Sequence, residues 1–218
     1  FNDHLSFIGN AAGYPTDSQP GGSQGETATV GAFLTANYSY RNRYFLDGTW
    51  RTTGSSQFGE NNRWGNFWSA GAGWNILNES FMKDIKKNID LMKLRFSMGY
   101  TGKVNFSPYQ AMTMYKYLNT YEYKNGIGAV PLAIGDVDLA WERTMNYNLG
   151  FDFSMFDRRL NLVIDAYVRN TTDLLLNKSM APSTGVTSAI SNLGEMQNKG
   201  FEFQLDGYLI RTRDFYWK

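Results

Sequence analysis

The residues equipped for chemistry are few and widely spaced. The 218-residue chain has one histidine, His4, in a polar stretch near its start, and no cysteine. Hydrolytic or nucleophilic centres need an acid, a base or a nucleophile within hydrogen-bond reach of one another, so an isolated His4 reads as a solvated loop residue. Carboxylates near cations come next: Asp47 with Arg51, Lys93 with Arg95, and Asp152 and Asp165 with Arg169. All of them fall on the polar side of period-two segments, where salt-bridged, hydrated wall positions are expected rather than a catalytic pair. The pair Asp136 and Asp138 is too sparse for calcium, which takes about 6 to 8 oxygen ligands. The glycine-containing run 54–65 has neither the lysine of a phosphate loop nor a helix after it. No enzymatic centre, metal or cofactor is therefore expected.

Aromatic surface is the remaining resource. Phe58, Trp64, Tyr109, Tyr115, Tyr117, Tyr121 and Tyr123 lie in stretches that read as loops. Such rings can stack on sugars or peptide side chains, pack on one another, or meet a partner protein. They are the candidate ligand-binding residues.

The elements that would position these residues follow from a period of two. Over 29–41, Val30, Ala32, Leu34, Ala36, Tyr38 and Tyr40 alternate with Thr29, Gly31, Thr35, Asn37, Ser39 and Arg41, and only Phe33 breaks the pattern. After a tight turn at Asn42, Tyr44, Leu46, Gly48 and Trp50 alternate with Asp47, Thr49, Arg51 and Thr53. A third strand sets Trp68, Ala70, Ala72, Trp74 and Ile76 on one face, and a connection over 78–90 follows with a short helical turn capped by Ser80. The fourth places Met92, Leu94, Phe96, Met98 and Tyr100 opposite Lys93, Arg95, Ser97, Gly99 and Thr101. Residues 102–140 lose periodicity and read as one large loop, a length that usually marks a binding loop or lid. Trp141, Met145, Tyr147, Leu149, Phe151 and Phe153 form the apolar side of a fifth strand. Leu160, Leu162, Ile164, Ala166 and Val168 form that of a sixth. A loop over 173–198 leads to a seventh strand with Phe201, Phe203 and Leu205, and 211–214 turns into an eighth.

Alternation alone fits a soluble sandwich as well as a barrel. Strand length separates them. Ten residues at about 3.3 Å, tilted near 45°, cover the roughly 25 Å apolar band of an outer-membrane barrel, whereas globular strands average about 5 or 6 residues. Connections also alternate between short and long, as in such barrels. With the tight turns at the periplasmic end, Tyr38, Tyr40, Tyr44, Trp74 and Phe153 gather at the inner edge, and Trp50, Trp68, Tyr100 and Trp141 at the outer edge, as two headgroup-level girdles. The mean hydropathy of -0.43 suits strands that are half polar, and the net charge of +1 gives no reason to expect nucleic acid. The fold expected is all-β: an antiparallel up-and-down transmembrane β-barrel, of which residues 1–218 form one partial domain of seven to eight strands. Open edges in lipid would leave backbone groups unpaired, and the chain opens on Phe1 with no leader pattern, so an internal piece of a longer protein is expected. The competing reading is a soluble, aromatic-rich β-sandwich that binds carbohydrate.

Several segments resemble the SusC/RagA family of TonB-linked outer-membrane proteins. Asn37-Tyr-Ser-Tyr-Arg-Asn-Arg-Tyr44, the glycine- and serine-rich stretch from Gly54 and Asn62-Arg-Trp-Gly65 look like the family's paired strands around a loop. Leu94-Arg-Phe-Ser-Met-Gly-Tyr-Thr-Gly102, Asp138-Leu-Ala-Trp-Glu-Arg-Thr144, Thr172-Asp-Leu-Leu175 and Asn192-Leu-Gly-Glu-Met-Gln-Asn-Lys-Gly200 match further motifs in the same order. The resemblance implies a barrel of about 22 strands with a plugged lumen, in a bacterial outer membrane. It also implies import of a glycan or peptide with a SusD-like lipoprotein lid, powered by TonB acting on a plug outside this sequence. A purely structural role in a larger complex is the third class of reading.

Overall fold

A computed structural model describes residues 25–104, 108–123, 126–208, 210–211 and 216–217; His4 lies outside them. Among the described residues the strands are, in chain order, β1 (Thr29–Tyr40), β2 (Tyr44–Ser55), β3 (Trp64–Asn75), β4 (Ile89–Lys103), β5 (Met114–Tyr123), β6 (Gly126–Ala133), β7 (Glu142–Met155), β8 (Leu160–Ser179), β9 (Ser188–Gly207), β10 (Ile210–Arg211) and β11 (Tyr216–Trp217). Seven form one antiparallel sheet in the order β1-β2-β3-β4-β7-β8-β9, while β5 pairs with β6 and β10 with β11.

Register converts seven separate stripes into two continuous faces. Tyr38, Leu46, Ala72, Phe96, Leu149, Ala166 and Phe201 are cross-strand partners in a single row. The adjoining row on the other face runs Asn37, Asp47, Gly71, Ser97, Asn148, Tyr167 and Gly200. A one-residue slip at any pair would exchange the faces, so the agreement of all six registers is strong selection for one apolar and one polar surface. Among the described residues no second sheet covers the apolar face, and Leu46, Leu149 and Phe201 on it are half or more exposed. That overturns the sandwich reading, which requires two inner faces packed on each other.

The aromatic residues bracket this face. Tyr40, Tyr44 and Trp74 share one row with Leu94, and Trp50, Trp68 and Tyr100 share another. Six residues of β3 separate Trp74 from Trp68, about 20 Å along the strand. Leu94 therefore stands at the inner girdle, and the middle of the band falls between the apolar rows of Phe96 with Leu149 and of Met98 with Tyr147.

Three connections lie at the inner end: 41–43, 76–88 and 156–159. Backbone bonds stitch them side by side, with Asn75 N–H donating to Arg43 O (2.7 Å), Phe156 N–H to Asn88 O (3.1 Å) and Tyr208 N–H to Arg159 O (2.8 Å). The middle one contains two 3-10 turns, Ile76–Asn78 and Ser80–Met82; the second begins after Glu79 and has no side-chain cap, so Ser80 does not cap it as expected. Glu79 instead turns back to the girdle. Its buried carboxylate accepts from Tyr44 O–H (2.6 Å), Trp74 Nε1–H (3.1 Å) and Arg43 Nη1 (3.3 Å). The Tyr44 and Trp74 hydrogen bonds, then the Arg43 charge, hold it below its ordinary value of 4.5 against the opposing effect of burial. A depressed folded-state value means that its stabilisation is complete above pH 4.5 and lost as pH falls through the lower folded value. Glu79→Gln is accordingly expected to melt below the parent at pH 7, with the gap closing under acid; a gap that stays constant in parallel melts from pH 7 to 3 would refute the assignment.

Two expected loops prove to be largely strand. Residues 102–140 contain the β5–β6 hairpin. The supposed loop 173–198 shrinks to 180–187, because β8 and β9 each run 20 residues and rise past the outer girdle. Register shifts near Thr171, Leu174 and Leu175, with Asp173 at φ +57, break the alternation there without ending the pairing.

Candidate functional site

Two places gather the polar and aromatic residues: the polar face of the sheet and the outer crown. On the polar face, Arg95 forks onto Asp152, with Nε to Oδ2 and Nη2 to Oδ1 both at 2.8 Å, and Nη2 also reaches Asp165 at 3.3 Å. Gly150 lies between Arg95 and Asp165 in the row; a Cβ there would stand 2.6 Å from Asp165 Oδ1 and 2.7 Å from the guanidinium. The missing side chain is what lets one cation bridge carboxylates from two further strands. Gly200 likewise lies under the Tyr167 ring and Gly71 against the Asp47 carboxylate, a cross-strand filling of glycine gaps. Lys93 Nζ stands 4.9 Å over the Phe45 ring.

These contacts correct the pairings expected from sequence proximity. Asp165 belongs to Arg95, while Arg169 donates to Asn146 Oδ1 (2.9 Å) and Arg51 to Thr53 Oγ1 (2.8 Å). The partners of Arg95 and Arg169 sit across strands because neighbouring strands are about 4.8 Å apart, closer than the same-face residues along one strand, whereas Arg51 reaches along its own strand to Thr53. Both carboxylates of the cluster are committed to a guanidinium, an arrangement that fixes charge on the wall. Among the described residues no group of three metal-ligating side chains occurs.

At the outer end the motif residues meet. Asn61 Nδ2 donates to Asp138 Oδ1 (2.9 Å) and Asn62 Nδ2 to Asp138 O (2.7 Å). Asn192 ties three segments: its Oδ1 accepts from Ala140 N–H (2.8 Å), and its Nδ2 donates to Ala140 O (3.0 Å) and Asp173 O (2.7 Å). Ser191 Oγ donates to Asp136 Oδ2 (3.3 Å). Beneath these bonds Leu139 is fully buried and Phe58 stacks on Trp141 at 4.2 Å, with Phe67 edge-on to Trp141 at 5.4 Å. Connections 56–63 and 134–141 and the outer arms of β8 and β9 thus form one packed clamp. Trp141, expected in the outer lipid girdle, is buried in this clamp, since β7 begins only at Glu142 and strand parity does not extend to it.

The aromatic candidates separate accordingly. Phe58 is a buried member of the clamp, 2% exposed. Trp64 shares the parity of Trp68 and Trp74 at the first position of β3 and pairs with Gly54, so it extends the lipid-facing girdle instead of standing in a loop. Tyr109, at φ +68, accepts Glu26 N–H on its hydroxyl at 2.9 Å. Tyr115 and Tyr117 share one face of β5 and are 60% and 59% exposed. Tyr121 and Tyr123 belong to the backbone of β5; their side chains lie outside the described residues. Two of the seven therefore present open rings side by side on a hairpin at the outer end.

The whole chain, residues 1–218, matches the family model described as TonB dependent receptor-like, beta-barrel. It is 35% identical over 217 residues, 99% of its length, to a TonB-dependent receptor of Formosa agariphila, of which it spans 20%. It is 37% identical over 195 residues, 86% of its length, to the TonB-dependent receptor SusC of Bacteroides thetaiotaomicron, of which it spans 19%. Among solved structures, that of the RagAB peptide importer in the closed-closed state superposes with a TM-score of 0.79 at 27% identity, covering 97% of this chain and 23% of that one. The chain thus spans about a fifth of the length of these relatives.

Proposed function

Because the chain belongs to the TonB-dependent receptor β-barrel family, we propose that it supplies part of the wall of an outer-membrane importer whose cargo is a bulky glycan or peptide. The observation that carries this reading is the in-register pair of faces, one row apolar from Tyr38 to Phe201 and the next polar from Asn37 to Gly200. Such a sheet has lipid on one side and a wet lumen on the other. Residues 1–218 act as one barrel segment of about 22 strands in all, with the plug and its TonB contact outside them. A SusD-like lipoprotein closes over the outer end, and nucleic acid has no part. The peptide cargo named for RagAB and the kinship to SusC support the cargo class.

Uptake of labelled oligosaccharide and peptide pools by cells carrying the full-length protein tests this. Import should stop when TonB is deleted and when the lid lipoprotein is deleted. Import independent of both would reject the transporter reading in favour of a structural role in a larger complex.

Tyr115 and Tyr117 are the cargo-contacting residues of this proposal. An aromatic stack contributes about 0.5 to 1.5 kcal/mol, so Tyr115→Ala and Tyr117→Ala should each weaken cargo binding roughly 2- to 10-fold, with the melting of the barrel unmoved. Unchanged affinity in the double variant, measured by calorimetry on the detergent-purified full-length protein, would remove them from the site.

A further inference from the structure

The two ends of the sheet differ in charge. The inner connections hold Arg41, Arg43, Lys83, Lys86, Lys87, Arg158 and Arg159 against Glu79, Asp84 and Asp157, whereas the outer connections 56–63, 108–113, 134–141 and 180–187 hold Arg63 against Glu60, Asp136 and Asp138. Glu79 is occupied by Tyr44, Trp74 and Arg43. Among the described residues no carboxylate forms an ion pair with the side chain of Arg41, Lys83, Lys87, Arg158 or Arg159, although Asp90 Oδ2 accepts the Arg158 backbone N–H (2.8 Å).

Apolar side chains interleave with these cations. Phe81, Ile85 and Phe156 are exposed at the same end, and apolar residues alternating with lysines are the composition of segments that lie in a headgroup layer. Arg41 stands 5.1 Å over the ring of Tyr40, a member of the inner girdle row. A recess of about 570 Å³ opens between Lys87, Phe156, Asp157, Arg159, Leu160 and Tyr208, so that two cations and one carboxylate line it. Leu160 and Gly207, its floor, are cross-strand partners that end the lipid-facing stripes of β8 and β9. Two exposed cations thus stand where the apolar band stops.

We propose that this inner rim is a binding site for anionic phospholipid headgroups of the periplasmic leaflet. Lys87 and Arg159 hold the phosphate in the recess, Leu160 and Phe156 take the glycerol and first acyl carbons, and Arg41 makes a second headgroup contact. The proposal rests on the barrel reading, which fixes this end at the periplasmic face. It adds a ligand that the transport cycle itself does not require.

The full-length protein in detergent, titrated with short-chain phosphatidylglycerol and separately with phosphatidylcholine, provides the test, with retained lipid counted by native mass spectrometry. Phosphatidylglycerol should be retained in preference. Lys87→Gln with Arg159→Gln should lower its retention roughly 25-fold, about fivefold for each cation removed, and leave phosphatidylcholine unaffected. Equal retention of the two lipids, or a double variant that retains phosphatidylglycerol like the parent, would overturn the site. So would displacement of the lipid by an equal concentration of inorganic phosphate, which would mark a free-anion site. Should the double variant not fold, Lys87→Gln alone and the parent's lipid preference decide. Failure of the barrel reading shows separately, as the absence of a heat-modifiable folded form in bilayers.

Discussion

Arginine in place of Leu149 is expected to cost the assembled barrel about 2 to 4 kcal/mol, the depth-dependent penalty for a cation at the bilayer midplane. Leu149 lies in one of the central apolar rows, between Phe96 and Ala166, and its side chain points away from the Arg95 cluster. Ser97→Arg places the same charge one residue from Phe96, on the opposite face and in the row of Asp47 and Asn148. On the barrel reading that face is wet, and the Asp47 carboxylate lies over Gly71 in the same row, so a change within about 0.5 kcal/mol is expected, as for an ordinary surface substitution. The temperature at which the folded band is lost on semi-native gels, with the amount recovered in outer membranes, measures both. Equal losses would mean that the faces have been assigned the wrong way round. Leu94→Arg should fall between the two, because at the Trp74 row the guanidinium can snorkel to the headgroups.

Four strands of this wall are plain in the sequence for the same reason that Leu149 is sensitive. Where one face meets lipid and the other water, every second residue is constrained, and β1, β2, β4 and β7 show that constraint directly. The β5–β6 hairpin escapes a hydrophobicity reading because neither of its faces is a continuous apolar stripe. Its period survives in Tyr115, Tyr117, Tyr121 and Tyr123 alternating with Lys116, Leu118, Thr120 and Glu122, and an Asn-Gly dipeptide at 125–126 follows in the sequence. Tyrosine at alternate positions before Asn-Gly is a strand signal even without leucines. The outer arms of β8 and β9 are hidden differently: the shifts at Thr171 and Leu174 change parity, so each half alternates out of step with the other.

The candidate site was legible in kind more than in place. Asp152, Asp165 and Arg95 are visible as wall charges, but which pairs with which depends on register between strands 57 and 70 residues apart in sequence, and side-chain type carries no trace of that. Phe58 and Trp141 show the opposite limit. An aromatic residue in a loop looks the same whether it faces a ligand or a neighbouring loop, and only the closure of 56–63 onto 134–141 through Asp138 buries these two. The motif residues Asn62, Asp138 and Asn192 turn out to be spent on each other and on backbone groups, which makes their role one of holding the crown in shape.

If the crown is a packed clamp, Trp141→Ala should be its most damaging single change, at about 3 to 5 kcal/mol for a buried large aromatic. The ring is stacked on Phe58 and met edge-on by Phe67, and among the described residues its buried Nε1 has no hydrogen-bond partner. Its contacts with the described residues are therefore packing contacts. Trp141→Phe keeps a ring in the stack and removes the unsatisfied N–H, so it should cost less than about 1.5 kcal/mol. The loss belongs to the crown and not to the membrane-spanning rows, so it is read by hydrogen exchange. Amides of 56–63 and 134–141 should lose protection in Trp141→Ala, while those of β1, β2 and the inner halves of β4 and β7 keep theirs. Uptake should fall with crown protection, because the hairpin bearing Tyr115 and Tyr117 connects to the clamp through 134–141. Parent-like exchange over 56–63 in Trp141→Ala would show that the hydrogen bonds of Asn62 and Asn192 suffice without the aromatic stack, and the crown would then be a hydrogen-bonded lattice in place of a core.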